Sequence, residues 1–181
     1  MLLSCFSFSY AQTKEKHSYN NLYGVSFQFY PAGIIATLNA EHFISDNTSL
    51  VYRLGGNFAN RKDFSNENDH ETGSGFGGSL GFKKHFPQKK GSLVAGFNLD
   101  VWNLWIDWEN NIGLQNETSG TTYTLVAQPW FEAGYLFNLK NTSSKLGLTA
   151  GFGREINAIT NGKDVAQDWI ASLSIQYQFS L

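Results

Sequence analysis

The sequence predicts an all-β protein: an eight-stranded antiparallel up-and-down transmembrane β-barrel whose apolar face looks outward. Three observations carry this. Apolar and polar residues alternate in eight separate segments, the period of a strand with one face in each environment. Aromatics make up 15% of the 181 residues and glycine supplies 18 of them, while no stretch shows the long helical spacing of Ala, Leu, Glu and Lys. No apolar run approaches the ~18 residues of a membrane helix, so a chain of this kind that crosses a bilayer crosses it as a closed barrel.

Taken in order, the first segment alternates on Tyr23, Val25, Phe27 and Phe29, and the second on Ile34, Ala36, Leu38 and Ala40. The third carries Leu50, Tyr52, Leu54 and Phe58; the fourth carries Phe76, Leu80, Phe82 and Phe86. The fifth runs through Leu93, Ala95, Phe97, Leu99, Val101 and Trp105, and the sixth through Tyr123, Leu125, Ala127, Phe131, Ala133, Tyr135 and Phe137. Leu146, Leu148, Ala150, Phe152 and Ile156 mark the seventh, and the eighth is Trp169, Ala171, Leu173, Ile175, Tyr177, Phe179 and Leu181. In the sixth, Pro129 falls on the apolar face and has no N–H to give a ladder, which predicts a bulge or weak pairing there. An even number of strands lets the sheet close with both ends on one side.

The connections alternate as well. "ISDN", "PQKKG" and "NLKNTSS" are short, while Asn60 to Ser74, Glu109 to Gly120 and Asn157 to Asp168 are long; only "YPAG" breaks the long set. Short turns at one end and long loops at the other are the outer-membrane arrangement, with the turns toward the periplasm.

Which face points inward is decided by bulk. A soluble lipocalin-like barrel would hide the apolar face, but eight strands enclose only packed side chains or one small ligand. The Phe, Tyr, Trp and Leu of the apolar face exceed that space. The other face is small and polar: Gly77, Ser79 and Gly81; Gly147, Thr149, Gly151 and Gly153; Ser172, Ser174, Gln176 and Gln178. It has too few Lys and Glu for a soluble exterior. His42, Lys84 and Arg154 are the charged exceptions on the outward register, and all fall near strand ends, where they reach head groups at little cost. Tyr23, Trp105, Tyr123, Tyr135, Trp169 and Tyr177 also lie toward strand ends, as interfacial girdles require.

Residues 1–11, "MLLSCFSFSYA", read as an export segment with small residues at the cleavage positions; 12–20 form a polar N-terminal segment and 21–181 the barrel. Cys5 is the sole cysteine, so after processing neither a disulfide nor a thiolate metal site is expected. A formal charge of −2 argues against nucleic acid as a partner.

Over the eight-strand register and the closing "IQYQFSL", the chain resembles the small outer-membrane barrels of the OmpA/OmpX type, in the barrel-only form of the porin family. That resemblance implies a bacterial outer-membrane location and contact with membrane lipid and lipopolysaccharide. It also implies a monomer, with no periplasmic module after Leu181. Tyr177, Phe179 and Leu181 stand where such proteins present a C-terminal signal to the barrel-assembly machinery; Leu181 departs from the usual terminal Phe.

Candidate functional residues are those of the inward face. Glu41, Arg53, Lys83, Asp100, Glu132 and Glu155, with His85, are expected to form a lumen network of ion pairs and hydrogen bonds, with Glu41 opposite Arg53 across the "ISDN" turn. A filled interior argues for a structural or cell-surface role through the long loops. A small-solute channel is the alternative, and a lipid A-modifying enzyme a further one. The loop from Asn60 to Thr72 gathers Asp63, Glu67, Asp69, His70 and Glu71, but without the regular spacing of a calcium loop, and is expected as a solvated surface loop. "GSGFGG" at 73–78 opens a strand, not a helix, and so does not cradle phosphate. No "GxSxG" or "HExxH" occurs. No catalytic residue, metal ligand or cofactor is assigned.

Overall fold

The computed structural model describes residues 21–62, 65, 67–140 and 143–180. The expected export segment 1–11 and polar segment 12–20, with Asp63 and Leu181, lie outside the described residues. Among the described residues nine strand segments follow in order: β1 (Asn21–Tyr30), β2 (Gly33–Ser45), β3 (Thr48–Asn60), β4 (His70–Gln88), β5 (Gly91–Asn110), β6 (Thr118–Asn138), β7 (Ser144–Arg154), β8 (Ile156–Asn161) and β9 (Trp169–Phe179). Segments β7 and β8 are one line of chain, the seventh strand of the expected eight, because both pair with β6 in a register that continues past Glu155. Each strand pairs antiparallel with its neighbours, β9 returns to β1, and the sheet closes.

Ring closure has a measurable stagger. One row of partners starts at Gly91 and passes through Phe137, Leu146, Tyr177, Val25, Leu38, Leu54 and Gly78; it returns to β5 at Val101, ten residues above its start. With strands ~4.8 Å apart and ~3.3 Å per residue, that stagger tilts the strands by about 40° from the barrel axis. Allowing for the climb, Phe97, Leu38, Ile175 and Leu80 lie near one level, the middle of the outer surface.

That outer surface is the apolar register. Leu38 is 69% exposed, and none of the residues named for it on the eight segments is buried among those described. A water-soluble protein does not leave such a belt uncovered, and hydrocarbon covers it here at no cost. Rings touch along it: Phe82, Phe97 and Phe131 lie in series at 6.2 and 5.1 Å, and Trp105 lies 5.9 Å from Phe76 and 5.4 Å from Tyr123.

One expectation is corrected. The long connections are shorter than the sequence suggests, because β4, β5 and β6 run to 19, 20 and 21 residues, roughly twice the ~10 needed to cross a membrane. Their upper halves therefore stand out as a wall, while β1 and β2 turn back at Pro31 and Ala32. Pairing does fail beside Pro129: the β6 ladder stops at Trp130↔Gly153 and resumes at Ala127↔Ile156, leaving 128–129 without registered partners on that side. The register shift itself falls further on, between Leu125 and Val126, where β8 carries one extra residue.

A midplane charge and a charge on the wall should differ sharply. In lipid vesicles, Leu38→Arg is expected to lower the unfolding free energy by about 2–4 kcal/mol, and Ile159→Arg, beyond the belt, by about 0–1 kcal/mol; denaturant titration of the reconstituted protein measures both.

Candidate functional site

The lumen is the candidate site, and it is filled in three tiers. At the turn end, Glu41 on β2 is buried and fully engaged: Ser49 Oγ donates to its Oε1 at 2.6 Å, His85 Nε2 lies 2.6 Å from the same oxygen, and Gln178 Nε2 donates to Oε2 at 2.8 Å. Lys83 sits between two carboxylates, 3.5 Å from Glu41 and 3.5 Å from Glu132. Asn98 donates to Glu132 at 3.4 Å. A buried charge is tolerable only with such partners, since desolvation of each ion otherwise costs several kcal/mol.

The middle tier is built on Arg53 of β3. Its Nη2 donates to Asp100 Oδ1 at 2.6 Å and to Ser79 Oγ at 3.2 Å, and its Nη1 donates to Gln28 at 3.2 Å. Trp130 Nε1 donates to the same Asp100 oxygen at 2.8 Å, and the Arg53 guanidinium lies 4.7 Å from the Trp130 ring centre. The expected Glu41–Arg53 pair does not form. In the β2–β3 register Glu41 faces Val51 and Arg53 faces Asn39, so the two charges stand at different levels. Each finds a partner two strands away instead, Arg53 reaching β5 and Glu41 reaching β4.

The upper tier closes the mouth. Arg61, just past β3, bonds to Glu155 and to the Ala166 carbonyl, with Glu71 at 3.5 Å. Glu71 in turn accepts from Ala166 N at 3.1 Å, Asn68 Nδ2 at 2.7 Å and Ser65 Oγ at 2.8 Å. Burial works against the Arg61 charge, but Glu155 above all, with Tyr30 and Glu71, outweighs it and holds the guanidinium above its ordinary pKa. Through these bonds the connection 162–168 is drawn down over the lumen. Further ties are Thr122 Oγ1 to the Lys163 carbonyl at 2.8 Å and Asn157 Nδ2 to the Val165 carbonyl at 2.9 Å. Beneath it lies an apolar cluster of Tyr30, Ile35, Trp102, Leu104, Ile106, Val126, Val165 and Ile170.

All six network residues read from the sequence are therefore buried in the lumen, in three tiers that hold different ion pairs. Arg61 and Glu71 were missed, because both fall in a stretch expected as a solvated loop. The inward Trp102 and Trp130 were also missed, the interior being expected small throughout. Glycines make room for the two rings: a methyl group at Gly77 would stand 2.7 Å from the ring of its partner Trp102, and one at Gly153 would stand 2.3 Å from Cβ of its partner Trp130. Among the described residues, a cavity of about 20 Å³ lies among Arg53, Lys83, Trp130, Glu132 and Gln176, enough for one water, and a larger one of about 120 Å³ lies at the mouth beside Tyr30, Arg61, Glu155, Asp168 and Ile170. Tyr177 and Phe179 face outward at the lower rim, 6.2 Å apart. Among the described residues no group of three or more His, Cys, Asp or Glu side chains could hold a metal ion.

The sequence matches no protein-family model and no curated protein. Solved structures do match. Neisserial surface protein A (NspA) is 9% identical, with a TM-score of 0.54 over 89% of this chain and 94% of that one. The fold is that of a small outer-membrane β-barrel. The N-terminal β-barrel domain of Pseudomonas aeruginosa OprF is 15% identical (TM-score 0.45; 89% and 98% of the two chains), and the outer membrane protein AlkL is 11% identical (TM-score 0.48; 94% and 95%). With the apolar belt, the fold places the chain in an outer membrane.

Removing one member of the central pair should leave a buried charge. Asp100→Ala is expected to lower the unfolding free energy in vesicles by about 3–5 kcal/mol, and Arg53→Met combined with Asp100→Leu to recover most of that loss.

Proposed function

We propose that the protein is a closed outer-membrane barrel with a structural and cell-surface role, in which the lumen supplies rigidity and the β4–β6 wall with its loops meets partners outside the cell. The observation that carries this reading is the filled lumen: three tiers of paired side chains and a capping connection occupy it, and the cavity around Arg53, Lys83 and Glu132 has room for about one water. A solute path would require the tiers to break together, and each is held by buried charge pairs. At the free end of the wall, the connection 111–117 exposes Ile112 and Leu114, apolar side chains that neither lumen nor belt uses. Neisserial surface protein A carries a surface location in its name and shares the fold, which agrees with this reading. Lipid and lipopolysaccharide around the belt, the assembly machinery at Tyr177 and Phe179, and a monomeric state belong to the same proposal.

A lipid-modifying enzyme has less behind it. His70 Nδ1 does lie 3.3 Å from a Glu109 carboxylate oxygen, and His70 Nε2 lies 3.3 Å from Asn60 Oδ1. Yet His70 stands some eleven residues up β4 from the middle of the belt, roughly 25 Å along the barrel axis, whereas the apolar band reaches only about 12 Å either way.

Two measurements test the proposal. In planar bilayers the purified protein is expected to be silent, and discrete conductance steps would favour the channel. An epitope inserted at Gly113 is expected to be labelled by antibody on intact cells; labelling only after lysis would remove the surface role.

A further inference from the structure

Exposed charge differs in sign between the two ends of the barrel. Among the described residues, the loop end exposes seven carboxylates, Glu67, Asp69, Asp107, Glu109, Glu117, Asp164 and Asp168, against the cations Lys62 and Arg154. The turn end exposes Lys84, Lys89, Lys90 and Lys140, with Asp46 as its sole exposed carboxylate. The buried acids of the lower lumen, Glu41 and Glu132, are taken up by Lys83 and by neutral donors, and so do not neutralise these lysines.

The four lysines belong to one side. Lys89 and Lys90 form the β4–β5 turn, and Asn138 N donates to the Lys90 carbonyl at 2.9 Å, which brings the β6–β7 connection and Lys140 alongside. Lys84 lies four residues up β4 from the end of the strand, its Nζ 3.1 Å from Thr48 Oγ1. Its position names the partner. Lys84 points outward between Phe82 and Phe86, which are 52% and 46% exposed on the lipid-facing register. A macromolecule in the periplasm would not reach a side chain between two rings that face hydrocarbon, whereas a lipid phosphate beside the barrel does. A lysine so placed runs its stem along the apolar surface and its ammonium to the head-group level.

We infer that the turn end is a binding surface for anionic phospholipid, the phosphodiester head groups of the periplasmic leaflet, with Lys84, Lys89, Lys90 and Lys140 as its cations. Clustered lysines at a membrane surface each attract anionic lipid, and the attraction falls with salt.

Native mass spectrometry of the folded protein, released from detergent with phosphatidylglycerol or phosphatidylcholine of identical chains, tests this. Phosphatidylglycerol is expected to be retained about tenfold better. The combined variant Lys84→Gln, Lys89→Gln, Lys90→Gln and Lys140→Gln should lose that preference, while Lys62→Gln with Lys163→Gln, at the other end, should keep it. Heat-modifiable migration checks that each variant is folded; if the fourfold variant is not, Lys89→Gln with Lys90→Gln, confined to a turn, should lose part of the preference. Equal retention of the two lipids by the native protein would overturn the inference. So would a preference unchanged in the lysine variants, or lysine-dependent co-sedimentation with cell-wall sacculi in the absence of any lipid preference. None of these outcomes bears on whether the lumen conducts.

Discussion

The constraint on which this structure depends is that hydrocarbon offers no partner to a backbone N–H or C=O. An open sheet in a bilayer would leave two edges unpaired, each group costing several kcal/mol, so the ladder has to run from β1 round to β9 and back. Closure then dictates the side chains. Alternate residues go to lipid or to the lumen, and the ten-residue stagger fixes which residues share a level. Above the belt the constraint relaxes. There β8 pairs with β6 alone, and the chain from Asn161 to Asp168 turns inward to cover the mouth.

The interior follows from the same geometry. Eight strands enclose little volume, so the two inward tryptophans each stand opposite a residue without a side chain, Trp102 opposite Gly77 and Trp130 opposite Gly153. Charges enter on the same terms. Arg53 is admitted with Asp100, the Trp130 face and Gln28; Lys83 with Glu41 and Glu132; Arg61 with Glu155 and Glu71. Buried pairs of this kind add little net stability compared with a hydrocarbon core, but each is costly to break singly. The structural and surface role proposed above rests on a lumen filled in this way.

Much of this was legible in the sequence, for a physical reason. A lipid-facing strand must be apolar at every second position, so Tyr23 to Phe29 or Trp169 to Tyr177 can be read by period alone. The depth of the charged exceptions, His42, Lys84 and Arg154, could be read in the same way. Partner choice inside the lumen could not, because it depends on rotamers reaching across a space some side chains wide. Glu41 and Arg53 look paired along the turn, yet the register sets them at different levels and each reaches elsewhere. The wall was under-read because "VWNLWIDW" is apolar on both faces: outward Trp105 and inward Trp102, Leu104 and Ile106 blur the alternation where β5 leaves the membrane. Arg61 and Glu71 look like loop residues for want of any periodic context, although their burial makes them the latch of the upper tier.

Everything rests on the direction in which the bulky residues point, and that can be measured directly. Cys5 is the sole cysteine, so on a Cys5→Ser background single cysteines carrying a nitroxide can be placed at Phe27, Leu38, Phe97 and Phe152, and at inward Ser26, Asn39, Asn98 and Gly151. In lipid vesicles, the first four are predicted to be relaxed strongly by oxygen, which concentrates in hydrocarbon, and weakly by a water-soluble nickel chelate. The inward four are predicted to be shielded from both. High oxygen accessibility at Ser26 and Asn39, with shielding at Phe27 and Leu38, would turn the barrel inside out and contradict the account.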